Sequence, residues 1–129
     1  MKNTQQLFKT AHTAMQNAYA PYSKFKVGAA ILADDGKIYS GCNTENISFP
    51  CGTCAEAGAI ASMITAGAHK IKKIIIISDG KSIITPCGAC LQRIKEFSDF
   101  DTEIILTDPE QNFYYYHIND LLPQAFKEF

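Results

Sequence analysis

The chain has 129 residues, 47% of them hydrophobic and 19% charged, with a formal net charge of −1. That length predicts one domain, residues 1–129, and the composition excludes a disordered chain. Twelve Lys and Arg against 13 Asp and Glu leave no excess of positive charge for a nucleic-acid interface, and the longest strongly apolar run, Ile74 to Ile77, is far short of the roughly 20 residues that span a bilayer.

Leu7, Phe8, Ala11, Ala14, Met15 and Ala18 recur at three- and four-residue steps and predict an amphipathic helix over 4–19, ended by Pro21. Small and β-branched residues over 25–33, the turn Asp34-Asp35-Gly36, and the run from Lys37 to Cys42 predict a β-hairpin. Residues 43–52, with Asn43, Asn46, Pro50 and Gly52, read as loop. A second helix is expected from Thr53 to Ala66, with Gly67 after it as its cap. Ile71 to Ser78 reads as a buried strand. Thr85-Pro86 forms a cap and first-turn proline pair for a helix over 86–97. Glu103 to Thr107 and Asn112 to Ile118 are two further strands around the turn Asp108-Pro109-Glu110, and Asn119-Asp120 opens a short helix to Phe126. The order α-β-β-α-β-α-β-β-α predicts an α/β fold, a mixed sheet with helices packed on it. The first six residues hold no apolar signal core, so the expected compartment is the cytoplasm.

Five cysteines are an odd number, which fits a disulfide framework poorly. Four form two Cys-x-x-Cys pairs, Cys51/Cys54 and Cys87/Cys90, and Cys42 stands alone. Helix N-termini stabilise thiolates through free N–H groups and the helix dipole. Cys54 falls at the start of the second helix, and Cys87 and Cys90 fall in the first turn of the third, so three thiolates can converge on one metal ion. Three protein ligands on zinc leave a fourth position for water, the mark of a catalytic site. Glu56 is placed to act as the proton carrier such a site needs.

Spacing alone leaves a structural four-cysteine zinc site equally open. Thr53-x-x-Glu56 also matches a capping box, and the local pattern by itself favours that role. A thioredoxin-like redox pair fits less well, since neither Cys-x-x-Cys follows a strand in the usual βαβ setting. Cys42 reads as a small buried hydrophobe, and His12, His69 and His117 show no ligand spacing.

Cys54-Ala55-Glu56 followed by Pro86-Cys87-Gly88-Ala89-Cys90 resembles the C-A-E…P-C-G-x-C signature of the cytidine deaminases. Tyr22-Ser23-Lys24-Phe25-Lys26-Val27-Gly28-Ala29-Ala30 resembles that family's Y-S-x-F-x-V-G-A-A strand, Gly41 to Asn46 its G-x-N-x-E-N loop, and Leu121 to Phe126 its closing L-L-P-x-x-F. The blocks occur in order over about residues 19–126. The resemblance implies a three-layer α/β/α sandwich with a mixed five-stranded sheet. It implies one zinc ion per chain on Cys54, Cys87 and Cys90, with Cys51 a bystander, and Glu56 moving protons between water and the pyrimidine.

By the same resemblance the Ala55 amide and Glu56 would hold the base edge, and the Thr85 carbonyl would face the amino group or departing ammonia. Asn43 and Glu45 would bind the ribose 3′-hydroxyl, Phe25 would pack on the ring, and Phe126 would close the pocket from a neighbouring subunit. The implied partners are a free nucleoside and three further copies in a homotetramer, with no nucleic acid and no membrane. The reaction would be hydrolytic deamination of cytidine and 2′-deoxycytidine in pyrimidine salvage. The alternatives are a blasticidin-type aminoglycosyl-nucleoside deaminase and a non-enzymatic structural zinc module.

The chain departs from the pattern at three places. Ala57 and Leu91 stand where the family often has Arg, and Phe49 where many members have Tyr. Zn²⁺ with three thiolates carries −1, and the missing arginines would have moderated that charge. The density of Phe49, Phe113, Tyr114, Tyr115 and Phe126 in so short a chain places interface residues among them.

Overall fold

Val27–Ala33 (β1), a run of small and aliphatic residues, is buried along its whole length because both of its faces are covered by helices. The computed structural model describes residues 2–126 and residue 128. In it, β1 pairs antiparallel with Ile38–Cys42 (β2) on one side and with Ile71–Ser78 (β3) on the other. Glu103–Thr107 (β4) runs parallel to β3, and Phe113–Tyr116 (β5) closes the edge antiparallel to β4, giving the order β2-β1-β3-β4-β5. This is the expected mixed five-stranded sheet.

Alternation along the strands sorts the core into two layers. Ala30, Leu32, Ile75, Ile77 and Ile105 face Lys2–Gln16 (α1), meeting Leu7, Phe8, Ala11 and Met15. Ala29, Ile31, Ile74, Ile76 and Ile104 face the opposite way, towards Ala55–Thr65 (α2), Gly88–Glu96 (α3) and Ile118–Leu121 (α4). The result is an α/β/α sandwich. Two glycines set the spacing of its layers. A Cβ at Gly28 would lie 2.1 Å from the Ala11 carbonyl oxygen, and one at Gly41 would lie 2.4 Å from the Ala59 nitrogen, so α1 and α2 rest directly on strand backbone there. None of the helices among the described residues is long and apolar enough to cross a membrane.

Element ends differ from expectation where tertiary hydrogen bonds compete. The first helix stops at Gln16 rather than 19, because Tyr19 leaves to bond the 43–45 segment, its N–H to the Asn43 carbonyl at 3.0 Å and its carbonyl to the Glu45 N–H at 2.8 Å. The second helix begins at Ala55 with Cys54 as N-cap, since Thr53 exchanges two backbone hydrogen bonds of 2.9 Å with Thr44. The third begins at Gly88 with Cys87 as N-cap, the Cys87 carbonyl accepting the first helical bond from Leu91 at 2.9 Å; Thr85 and Pro86 therefore precede it. The last helix is only four residues. His117 caps it reciprocally with Asp120, and Pro123 holds Leu122 out of the helical region (φ −139°, ψ 67°), so it does not extend to Phe126. The same cap takes His117 and Ile118 from the strand expected over 112–118.

Candidate functional site

Two helix N-termini meet at one end of the sheet: α3 follows β3, whose parallel pairing with β4 ends near Ser78, and α2 follows the antiparallel strand β2 through the 3-10 turn at Phe49–Cys51. Cys54 caps α2, Cys87 caps α3, and Cys90 sits in the first turn of α3. Their three sulfur atoms lie within 4.8 Å of one another. The approach of α2 to β2 at Gly41 fixes the first of these helix starts, and the β3–α3 connection delivers the second.

The electrostatics follow from the two helix ends. The backbone amides of Cys90 and then Ala89 face the Cys87 sulfur and hold its thiol below the usual range, against the effect of burial. Cys90 has no exposed surface, and burial pushes its thiol well up, reinforced by the neighbouring Glu56, Cys54 and Cys87. Glu56 is 4% exposed, and burial raises its carboxyl above the ordinary carboxylate value, while its own amide, the Cys90 thiol and the Arg93 charge draw it back. Thiols and a carboxyl crowded in one partly buried place resist ionising together, and a dication removes that conflict.

The donor set fits zinc. Thiolates are soft ligands, and tetrahedral Zn–S bonds of about 2.3 Å separate their sulfurs by about 3.8 Å, a spacing the three side chains reach with small adjustments. Cys51 ends a 3-10 turn over Phe49–Cys51 and lies outside this cluster, as does Cys42. Among the described residues, a four-cysteine cage is therefore not assembled. The capping-box reading of Glu56 also falls: the Thr53 N–H is bonded to Thr44, the helix cap is Cys54, and Glu56 turns inwards to Cys90.

A cleft of about 460 Å³ opens beside Cys54, with Asn43, Glu45, Thr53 and Phe49 in its walls. The Asn43 amide is part of the scaffold: its oxygen accepts from the Val27 N–H at 2.9 Å and its nitrogen donates to the Phe25 carbonyl at 2.8 Å. The Glu45 carboxylate accepts from the Tyr22 and Ser23 amides, both at 3.0 Å, and from the Ser23 hydroxyl, which hold its carboxyl below the usual range. Ser23 in turn accepts from the Phe25 N–H at 3.0 Å, and the Phe25 ring rests against Gly80. Ala55 is buried in the first turn of α2, and Thr85 is exposed just before Pro86. The Phe126 carbonyl accepts from Gln92 Nε2 at 2.7 Å, which ties the end of the chain to α3. Phe25, Ala55, Thr85 and Phe126 do not line the 460 Å³ cleft itself.

Arg93 was not among the residues singled out by sequence. One turn beyond Cys90 on α3, its Nη1 donates to the Cys90 sulfur at 3.4 Å. Its signal was the three-residue step from a ligand-type cysteine on a helix, which has meaning only once Cys90 is known to face the site.

Residues 1–106 match the family described as the cytidine and deoxycytidylate deaminase zinc-binding region. The cytidine deaminase of Sporosarcina psychrophila is 37% identical over 126 residues, covering 98% of this chain and 93% of that protein. The probable cytidine deaminase of Dictyostelium discoideum is 40% identical over 92% of this chain and 80% of its own length. The crystal structure of cytidine deaminase from Burkholderia pseudomallei superimposes with a TM-score of 0.88 at 40% identity, covering 95% of this chain and 98% of that one. That of cytidine deaminase from Mycobacterium tuberculosis gives 0.84 at 34% identity, over 97% and 98%. With a family match over most of its length and relatives of this identity, the chain belongs to the zinc-dependent cytidine deaminase family.

Proposed function

We propose that the chain hydrolyses the exocyclic amino group of free cytidine and 2′-deoxycytidine, giving uridine or 2′-deoxyuridine and ammonia. The observation that carries this reading is the meeting of three sulfur donors within 4.8 Å at two helix starts, with a 4% exposed carboxyl turned towards them. Cys54, Cys87 and Cys90 would hold one zinc ion, which would supply Lewis acidity and lower the pKa of its water to about 7. Glu56 would take one proton from the attacking water and pass it to the pyrimidine N3, then take the second proton of that water from the hydroxyl now on C4 and give it to the amino nitrogen as the C4–N bond breaks and ammonia leaves. A carboxyl whose proton affinity is raised by burial suits a group that must accept and return a proton near neutral pH.

The other site residues follow. The Ala55 amide, at the N-terminal end of α2, meets the base edge, and the Thr85 carbonyl at the mouth of α3 faces the amino group. Phe25, held by Ser23 and Asn43, stacks on the ring. Asn43 spends one donor and one acceptor on the backbone and keeps one of each; the Glu45 carboxylate keeps an acceptor site after its three bonds. Those spare groups sit in the cleft wall beside Cys54, where a 3′-hydroxyl can reach both.

Residues 1–129 act as one catalytic domain in the cytoplasm, a reducing compartment that suits its five free cysteines. The assembly is a homotetramer with sites completed across subunits. Its contacts draw on Phe49, Tyr114, Tyr115 and Phe126, all exposed. Phe113 is not one of them, because its ring packs edge-on against Phe8 at 5.9 Å within the chain.

Incubating zinc-replete protein with cytidine and following the ultraviolet difference spectrum, with ammonia release as the second reading, tests the proposal. Stoichiometric uridine and ammonia are expected. No conversion by a protein carrying one firmly bound zinc would reject it.

A further inference from the structure

The sequence contains a single arginine, Arg93; every other basic side chain that is cationic at neutral pH is a lysine. That one guanidinium stands on α3 three residues after Cys90, on the same helix face, with Nη1 3.4 Å from the Cys90 sulfur. The ion pairs formed among the described residues are Lys70–Asp99 and Lys73–Glu103, both remote from the site, and Arg93 takes part in neither. The charge of Arg93 is also felt at Glu56.

We propose that Arg93 is the positioning residue that offsets the charge of the zinc–thiolate centre, the task left open by Ala57 and Leu91. This rests on the reading of Cys54, Cys87 and Cys90 as zinc ligands. The charge arithmetic gives the direction. Three neutral thiols release three protons when they take up Zn²⁺, so the site passes from 0 to −1 on loading. A fixed cation beside Cys90 interacts little with the neutral form and favourably with the loaded one. Arginine suits the position better than lysine, because it stays charged at any working pH, is weakly hydrated, and presents a planar fork that can donate to sulfur while its remaining N–H groups face solvent. A donor on Cys90 also lowers the electron density that sulfur gives to the metal, which keeps the metal a stronger Lewis acid.

Position 57 stands three residues after Cys54 as position 93 stands three after Cys90, so on either helix a cation at this step can reach the helix's own cysteine. This chain fills the place on α3. The two places are therefore exchangeable in principle, and the exchange supplies the test.

Zinc affinity is measured on the full-length protein by competition with a chromophoric chelator, for wild type, Arg93→Met, Arg93→Lys, and Arg93→Met combined with Ala57→Arg. Arg93→Met keeps the aliphatic stem on an exposed helix position, so the fold is retained. Its affinity for zinc is expected to fall by about 10-fold or more, with Arg93→Lys between it and wild type and the double variant recovering most of the loss. Cobalt-loaded protein provides a reading that a purely structural role would not move. Removing the donor raises the energy of the sulfur electrons, so the sulfur-to-cobalt charge-transfer band of Arg93→Met shifts to longer wavelength, and Arg93→Lys shifts less. An affinity within twofold of wild type together with an unmoved band overturns the role of Arg93. Full zinc affinity in Cys90→Ser instead overturns the ligand assignment on which it rests.

Discussion

Replacing Glu56 by Gln keeps the shape of a buried side chain and removes its capacity to exchange a proton. Loss of a positioned acid–base group costs on the order of 10²–10⁴ in rate, so E56Q should bind zinc one-to-one, as measured by metal analysis, while turnover falls by that factor. A variant with the metal lost as well would make Glu56 a structural support. Cys51→Ala should keep both metal and turnover, since the thiol lies outside the cluster of three; release of zinc would revive a four-cysteine cage. These residues were legible in the sequence because their chemistry limits them to few residue types at fixed spacings, and the ordered blocks around them narrowed the choice further. The second task of Asn43 was not. Its bonds to the backbone at residues 25 and 27 join segments 16 and 18 residues away, and nothing in the local pattern of 43–46 signals them.

At the scale of the element, the β2–α2 contact decides where Cys54 stands. A Cβ at Gly41 would lie 2.4 Å from the Ala59 nitrogen and 2.6 Å from the Ala55 carbonyl oxygen, backbone atoms that can yield only if the helix moves. Gly41→Ala should therefore cost roughly 1–3 kcal/mol or more, read as a lower urea midpoint, and should also weaken zinc binding because α2 carries one ligand. An unchanged midpoint would mean that the two elements are not so tightly seated.

The β4–β5 turn gives a pH-dependent counterpart. Asp108 accepts from Asn112 Nδ2 at 2.9 Å and from the amides of Asn112 and Glu110, and these bonds, the Asn112 side chain first, hold its carboxyl below the ordinary value. A carboxyl depressed on folding contributes stability that is present above its unfolded pKa of about 3.9 and is lost as pH falls through the lower folded value. The melting temperature of the wild type should fall on acidification below about pH 4, and Asp108→Asn should flatten that fall. Equal acid slopes in the two proteins would remove Asp108 from the account. The sheet and its helices were readable from periodicity, whereas helix ends at 17–19, 53 and 85–86 were set by partners distant in sequence or by which carbonyl accepted the first helical bond.

For the whole molecule, the surface holds more aromatic area than an isolated chain needs. Phe49 is 92% exposed and Ile47 is 86% exposed on the wall and approach of the cleft, and Tyr114 and Tyr115 stand on the edge strand β5. Large exposed apolar side chains, one of them in the wall of a functional cleft and two on a sheet edge, mark interaction surfaces. Light scattering should give about four times the 14.2 kDa chain mass. Phe49→Ser and Tyr115→Ser remove apolar area from positions that contribute nothing to the buried core, so the subunit should keep its circular dichroism while the assembly mass drops. Activity should drop with it, because a cleft walled by Phe49 stays open to water when no second subunit covers it. Phe126→Ala adds a finer reading: if the ring closes a neighbour's pocket, the variant should show a raised KM even at protein concentrations where it is still a tetramer, since the ring would act on bound substrate as well as on the subunit contact. Full activity at the mass of one chain would show that each subunit carries a complete site.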